Sequence, residues 1–216
     1  MAAVDASRAE FRQGEDRILS IVVEILEAEG YEAVQLREVA RRARMSLSTI
    51  YKHYPNRDDM ILAALQRWMD ENRYSRVTRP ARQPGESLYD ALMRLYRVLF
   101  EPWEKHPAML AAFFRARSSA GGQKLLRQGL DAVVPAAMET LADVDEPFVG
   151  DLDAIISSLV YGLLGRFVAG EIPITAVMPS LERAIFWITQ GYEAVAIPPT
   201  KPRSASPRKG RPRAKT

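Results

Sequence analysis

The sequence predicts an all-α protein of about nine helices, in which an N-terminal three-helix unit precedes a larger C-terminal helical domain. Three observations predict it. Apolar residues recur at helical spacing from Phe11 onward, with no convincing alternation of period two and no internal repeat. A breaker segment carrying Arg79, Pro80, Pro84 and Gly85 divides a short first part from a longer remainder. Hydrophobic residues make up 47 % and charged residues 26 % of the 216, the balance of a chain able to bury a substantial core.

The first apolar stripe is Phe11, Ile18, Ile21, Val22, Ile25 and Leu26, and Gly30 stands where that helix would stop. A short second helix places Leu36, Val39, Ala40 and Ala43 on one side and arginines on the other, with Arg44 and Met45 as a brief connection. Ser46 can cap a third helix, its hydroxyl accepting from the free amides of the first turn. Pro55 ends that helix. Asn56, followed by Asp58 and Asp59 at the positive end of the helix dipole, opens a fourth that runs to about Arg76. Residues 10–55 therefore read as one compact unit and 56–76 as a bridging helix. Ser87 can cap a fifth helix, with Leu88, Leu92, Leu95, Tyr96, Leu99 and Phe100 on its apolar side. His106 and Pro107 precede a sixth from Met109 to Arg117, and Gly121 with Gly122 break the chain. Lys124 to Leu141 forms a seventh, with a kink expected at Pro135. After the loop Asp143 to Pro147, an eighth runs from Val149 to Ala169. The ninth, Ala176 to Ala196, carries Val177, Leu181, Ile185, Ile188 and Tyr192 on one stripe. Residues 86–197 form the second domain, and 198–216, rich in Pro, Ser and basic residues, are expected to be disordered.

Charge is divided unevenly. Of the 30 basic residues, seven (Lys201, Arg203, Arg208, Lys209, Arg211, Arg213 and Lys215) lie after Thr200, where there is no acid. The other 23 face 27 acidic residues, so the body carries about −4 and the net +3 belongs to the tail. A second basic cluster, Arg37, Arg41, Arg42, Arg44, Lys52 and Arg57, is opposed locally only by Glu38 until Asp58. Two separated basic patches on an acidic body point to polyanion contacts at two places.

Several function classes are disfavoured. The chain has no cysteine, which removes disulfides, thiol nucleophiles and cysteine-ligated zinc. Its two histidines, His53 and His106, lie in no metalloprotease or nucleophile-elbow pattern, and there is no phosphate-binding glycine loop. Asp143 with Asp145, and Asp151 with Asp153, sit beside Pro147 and Gly150 and read as loop and cap residues, so no metal, no cofactor and no enzymatic activity is expected. The start of the chain lacks the basic and apolar segments of a signal peptide, and Ala154 to Ala169 is interrupted by Ser157, Ser158, Gly162, Gly165 and Arg166. The expected location is the cytoplasm, at the nucleoid, with no membrane partner.

The second and third helices, joined by a tight turn and flanked by basic residues, match the geometry of a DNA-reading helix-turn-helix. Ala40 is small where the two must cross closely. Ile50 and Tyr54 should face inward, leaving Leu47, Ser48, Tyr51, Lys52 and His53 outward for phosphates and base edges. The residues alone fit an ordinary α-hairpin with a solvated arginine face equally well.

At these positions the chain resembles the TetR family of repressors. The likeness is carried by Gly30-Tyr31, by Val34-Gln35-Leu36-Arg37-Glu38-Val39-Ala40, and by Leu47-Ser48-Thr49-Ile50-Tyr51-Lys52-His53-Tyr54 with Arg57-Asp58-Asp59-Met60. It covers roughly residues 12–72. It implies a helix-turn-helix DNA-binding domain at 10–55, a ligand-binding and dimerisation domain at 86–197, and DNA contacts from Gln35, Arg37, Arg44, Ser46, Leu47, Ser48, Thr49, Tyr51, Lys52, His53 and Arg57. The run Gly30-Tyr31-Glu32-Ala33-Val34-Gln35 is further similar to actinobacterial regulators of steroid breakdown in that family, which implies a steroid- or acyl-type effector. Arg44 stands where the family usually has Gly, and a left-handed residue with a side chain costs on the order of 1 kcal/mol or more. Gln35 replaces a usual Thr cap, and Ser48 a common Gly.

The tail motif Pro207-Arg208-Lys209-Gly210-Arg211-Pro212-Arg213 resembles an AT-hook, in which arginines enter a narrow minor groove of strong negative potential. Its candidate contacts are Arg208, Lys209, Gly210, Arg211, Pro212 and Arg213; the plainer reading is a nonspecific phosphate-binding tail.

In the second domain the aromatic residues are mostly core. A helical cage of this kind can also hold an apolar small molecule, lined by Tyr96, Phe100, Trp103, Phe113, Phe114, Tyr161 and Phe167, with Arg117, and Arg115 beside it, able to receive an anionic group. By family analogy the last two helices pair with their copies in a homodimer, through Ser158, Gly162, Gly165, Leu181, Ile185, Ile188 and Tyr192. The function expected is a repressor released from a palindromic operator by a small, largely apolar ligand. The alternative is an architectural DNA-binding protein without ligand control.

Overall fold

The computed structural model describes residues 2–77, 82–119 and 121–196, with side chains over 8–195 apart from the gaps. Among the described residues there are nine α-helices and no strand: α1 (Ala2–Ala28), α2 (Leu36–Ala43), α3 (Leu47–His53), α4 (Arg57–Asn72), α5 (Leu88–Lys105), α6 (Pro107–Ala116), α7 (Gly122–Thr140), α8 (Glu146–Val168) and α9 (Val177–Ala196). Short 3-10 turns lie at Tyr31–Ala33, Tyr74–Arg76 and Ile174–Ala176.

Helix α1 begins earlier than its apolar stripe predicts. Ala2, Ala3, Ala6, Arg8, Ala9 and Glu10 are good helix formers or small residues, and propensity extends the helix where no core demands it. Ile18, Val22, Ile25 and Leu26 are fully buried, each contributing roughly 1.5–3 kcal/mol of apolar transfer. At Gly30, φ is +86°, and its N–H reaches back 3.0 Å to the Ile25 carbonyl, turning the chain into the 3-10 turn before α2.

Helix α4 is capped by Asn56, whose side chain accepts from the Asp59 N–H at 2.8 Å. It is buried on more than one side (Met60, Ile61, Leu62, Ala64, Leu65, Trp68, Met69), because α1 lies against it on one flank and α6 and α7 on others. It ends at Asn72, sooner than expected, and tightens into the 3-10 turn. Arg73 at its end is buried, donates from Nε to the Leu99 carbonyl at 2.8 Å and lies 4.4 Å over the Trp103 ring. Burial pushes its pKa down to about 10. This side chain ties the bridging helix to α5.

In the second domain α9 packs on α5 and α8, and α6 touches α1, α4, α5 and α8. Ser87 caps α5 as expected, accepting from the Asp90 N–H at 3.0 Å. Pro107 and Pro147 occupy first-turn positions of α6 and α8, where a missing N–H costs nothing, so both helices start before the apolar residues that announce them. Pro135 lies inside an uninterrupted α7. Gly122, expected to break the chain, is instead the first residue of α7, where a Cβ would collide with the Arg117 backbone.

Helix α8 is long and apolar enough, by length and composition alone, to cross a membrane, despite its polar interruptions. It packs against α6 and α9, and only 22 % of its most apolar window is buried in the chain.

Candidate nucleic-acid interface

The α2–α3 unit is fixed at its turn and at its cap. Arg44 closes α2 in the left-handed region, φ 55° and ψ 41°, with its N–H on the Arg41 carbonyl at 3.2 Å; Met45 N–H follows onto Ala40 at 3.0 Å. It is the one residue other than Gly with positive φ among the described residues, the strain expected where Gly is usual. Ser46 then caps α3: its Oγ accepts from the Thr49 N–H at 3.1 Å and lies 2.8 Å from both the Ser48 and Thr49 hydroxyls. Val39, Ala40, Ala43 and Ile50 are buried between the helices, and Tyr54 closes the far end, its OH donating to Glu15 at 3.2 Å. Burial and Glu15 together hold the Tyr54 hydroxyl protonated, its pKa well above the usual value. A short helix that is marginal alone is thereby held rigid.

From that frame Gln35, Arg37, Arg44, Ser46, Ser48, Tyr51 and Lys52 project into solvent, with Thr49 half-buried beside them. Gln35 precedes α2 without capping it; its Nε2 donates to the Glu32 carbonyl at 3.1 Å. Three of the sequence candidates are placed otherwise. Leu47 is half-buried against the core. His53 turns back onto α1, stacking on Phe11 with centroids 4.0 Å apart, and its Nδ1 is buried without a hydrogen-bond partner. Arg57 points away from the outer face of α3. Its Nε and Nη2 donate at 2.5 Å to the carbonyls of Val34 and Tyr31, and its guanidinium lies 4.7 Å over the Tyr31 ring. Local helical phase could not foresee either, because the residues that capture His53 and Arg57 lie 42 and 26 positions earlier.

The basic cluster is also smaller in space than in sequence. Glu38 accepts two bonds from Arg41 (2.9 and 2.6 Å) and one from Arg42 (2.6 Å), while Arg42 also reaches Glu29 at 2.6 Å. These hydrogen bonds, from Arg41 first, lower the Glu38 pKa to about 2. Among the described residues, the cations of this cluster left without an ion pair are Arg37, Arg44 and Lys52. The minor-groove candidates Arg208, Lys209, Gly210, Arg211, Pro212 and Arg213 lie outside the described residues.

In the second domain the candidate cage is largely filled by itself. Phe100, Trp103 and Phe113 are buried; Trp103 packs against Phe113 (5.4 Å) and Trp68 (5.3 Å), and Tyr96 against Phe100 (6.4 Å). Burial raises the Tyr96 pKa to about 12. Phe167 is half-buried against the core. Arg117 lies between the rings of Phe114 (4.6 Å) and Tyr161 (4.2 Å). Arg115 pairs with Glu32 of the Tyr31–Ala33 turn. Three clefts of about 440–480 Å³ lie elsewhere, at Asp70–Lys124–Gln128, Arg97–Glu101–Met178 and Arg82–Gly85–Glu139, and charged side chains are prominent in all of them.

The candidate dimer residues divide. Ser158 and Gly162 are exposed on α8 and Gly165 is half-exposed, with open space around a Cβ at Gly162. Leu181 and Ile185 are fully buried within the chain, Ile188 packs against the same core, and Tyr192 stacks on Phe148 at 4.0 Å. The α9 stripe is an internal face. What the sequence reading missed is the other side of α9: Trp187 (71 % exposed), Gly191 and Val195 (82 %); on α8, Ile155 is likewise exposed (49 %).

Residues 18–64 match the family described as bacterial regulatory proteins, tetR family, and residues 85–188 match a tetracyclin repressor-like C-terminal domain. The HTH-type transcriptional repressor KstR of Mycolicibacterium smegmatis is 33 % identical over 116 residues, covering 52 % of this chain and 56 % of that protein. The protein of the same name from Rhodococcus jostii is 29 % identical over 119 residues, 55 % and 56 % of the two chains. The chain thus spans about half the length of the curated relatives it matches. Among solved structures, a TetR transcriptional regulator from Rhodococcus sp. RHA1 shares the fold with a TM-score of 0.59 and 22 % identity, over 82 % of this chain and 95 % of that one. A transcriptional regulator from the same organism gives 0.62 and 21 %, over 82 % and 96 %.

Proposed function

We propose a ligand-released repressor, and the premise is that this chain belongs to the TetR family of bacterial transcriptional regulators, whose amino- and carboxy-terminal domains match most of its length. The observation that carries the reading is α3 itself: capped by Ser46, backed by α2 through the strained turn at Arg44, and free on its outer side at Ser48, Tyr51 and Lys52. In the major groove, Ser48 and Tyr51 would meet base edges. Gln35, Arg37, Arg44 and Lys52 would meet phosphates, with Ser46 and Thr49 at the start of the helix.

The subunits would pair through the outer faces of α8 and α9. Ile155, Trp187 and Val195 supply apolar area there, and Ser158, Gly162 and Gly191 let helices approach closely. Such a homodimer sets its two reading helices about 34–36 Å apart and matches a palindromic operator. A largely apolar effector of steroid or acyl type, held in the second domain near Tyr96, Phe114, Arg117 and Tyr161, would shift α4. A coupling of about 1–3 kcal/mol suffices for release. The protein would act in the cytoplasm, at the nucleoid. The basic tail favours a second reading, an architectural protein without ligand control, and in either case it adds salt-dependent affinity.

Selection of bound duplexes from a random pool, followed by footprinting, separates the two. A discrete palindromic footprint, weakened by a candidate effector, supports the repressor. Protection spread over AT-rich DNA and lost on removing residues 198–216 supports the architectural protein, and an unaltered affinity across effectors rejects ligand control.

A further inference from the structure

We propose that Glu32 is a positioning residue: one carboxylate clasps the reading head to α6, shared between Arg57 at the start of α4 and Arg115 of the second domain. The two oxygens are divided. Glu32 Oε1 forms an ion pair with Arg115 Nη2, while Oε2 lies 3.6 Å from Arg57 Nη2. Both guanidiniums also lie over the ring of Tyr31, one residue earlier, at 4.7 Å for Arg57 and 5.1 Å for Arg115. A stray surface pair would engage one partner. Here two cations from different helices converge on one acid and one ring.

The place of the clasp gives it leverage. Tyr31–Ala33 is the 3-10 turn that feeds α2, the helix that buttresses α3. Arg57 pins the carbonyls of both Tyr31 and Val34, so the turn moves with the head as a unit. The start of α6 is tied separately: His106 Nδ1 lies 2.7 Å from Glu27 Oε1, and the His106 ring sits edge-on to Trp68 at 5.5 Å. The ties at His106 and Arg115 are nine residues apart, about 13 Å along a helix. A helix held at both ends by the segment Glu27–Glu32 cannot turn or slide against the head without breaking one tie. This gives α6 a route to the DNA-reading unit through α1 and the Tyr31–Ala33 turn, beside its packing on α4.

The clasp is built to open on one side. Arg115 and Glu32 side chains are 59 % and 64 % exposed, the setting in which an ion pair is weak. Arg57 keeps its two backbone carbonyls and Asp58 at 3.7 Å if Arg115 leaves. The turn therefore stays folded while its link to α6 is lost.

The test needs neither DNA nor effector, so its failure is distinct from failure of the proposed function. The chain has no cysteine, and Lys52→Cys with Ser118→Cys places spin labels on α3 and at the end of α6, where Ser118 is exposed and its N–H donates to the Arg115 carbonyl. The labelled full-length chain is diluted with unlabelled chain, so that only distances within one chain are read. The parent should give one narrow distance distribution. Arg115→Gln and Glu32→Gln should each widen it at least two-fold with an unchanged melting temperature, and the double variant should be no wider than either single one. Unchanged widths in the single variants, or widening that adds in the double, overturns the clasp. Should Glu32→Gln impair folding, Arg115→Gln alone decides, because its side chain is exposed.

Discussion

Arg44 carries two opposed effects that can be separated by two substitutions. Its backbone is left-handed (φ 55°, ψ 41°) and its side chain is exposed, with no ion pair among the described residues. Arg44→Ala removes the charge and keeps a Cβ in a conformation that disfavours one; Arg44→Gly removes both. A left-handed residue with a Cβ costs roughly 1–2 kcal/mol, and the greater freedom of Gly in the unfolded chain returns about 0.5–1 kcal/mol. Arg44→Gly should therefore be more stable than Arg44→Ala by on the order of 1 kcal/mol, or about 2–4 °C in a chain of this size. Both variants should lose the same phosphate contact. Binding to a duplex selected by the parent should weaken equally in the two, and the slope of log K against log salt should shrink by about 0.9. The assays are urea unfolding and a salt titration of operator binding. Equal stability of the two variants would show that the turn stores no strain; an unchanged salt slope would remove Arg44 from the interface.

Three further outcomes are expected. Ser46→Ala should cost about 1 kcal/mol in urea unfolding, because its hydroxyl satisfies the Thr49 amide; a loss below a few tenths would mean the cap is idle. The Glu38 pKa is depressed in the folded chain, so its stabilising contribution is present above the unfolded value near 4.5 and fades as pH falls toward about 2. Glu38→Gln should accordingly be less stable than the parent at pH 7 and should converge with it only as pH falls to about 2, read as urea midpoints; parallel curves refute the assignment. Trp187→Glu should convert dimer to monomer in sedimentation equilibrium at micromolar concentration, whereas Leu181→Ala should lower stability without that shift.

The helix order and the reading head were legible because their signals are local. A cap at Ser46, a stop at Gly30 and a breaker after Arg76 each act within a few residues, and several of them agree. What failed was anything decided at long range. Periodicity shows that α9 has an apolar face without saying which of two faces its own chain covers. Leu181 and Ile185 went inside and Trp187 and Val195 stayed out; the clue was that α9 is apolar on more than the one stripe a half-buried helix needs. His53 and Arg57 were misplaced for the same reason, since their partners Phe11, Tyr31 and Val34 come from the other end of the head. The charge count of the basic cluster misled because Glu38, one acid, neutralises two arginines at once.

The outer faces of α8 and α9 stand apart from the reading head, and that separation has a genetic consequence. On the proposed pairing, a chain whose α3 is ruined but whose Trp187, Ile155 and Gly162 are intact would still mate with a sound copy. Expressed in excess, such a defective allele would titrate the wild-type product into hybrids with a single working grip, and the damage would behave as dominant rather than recessive.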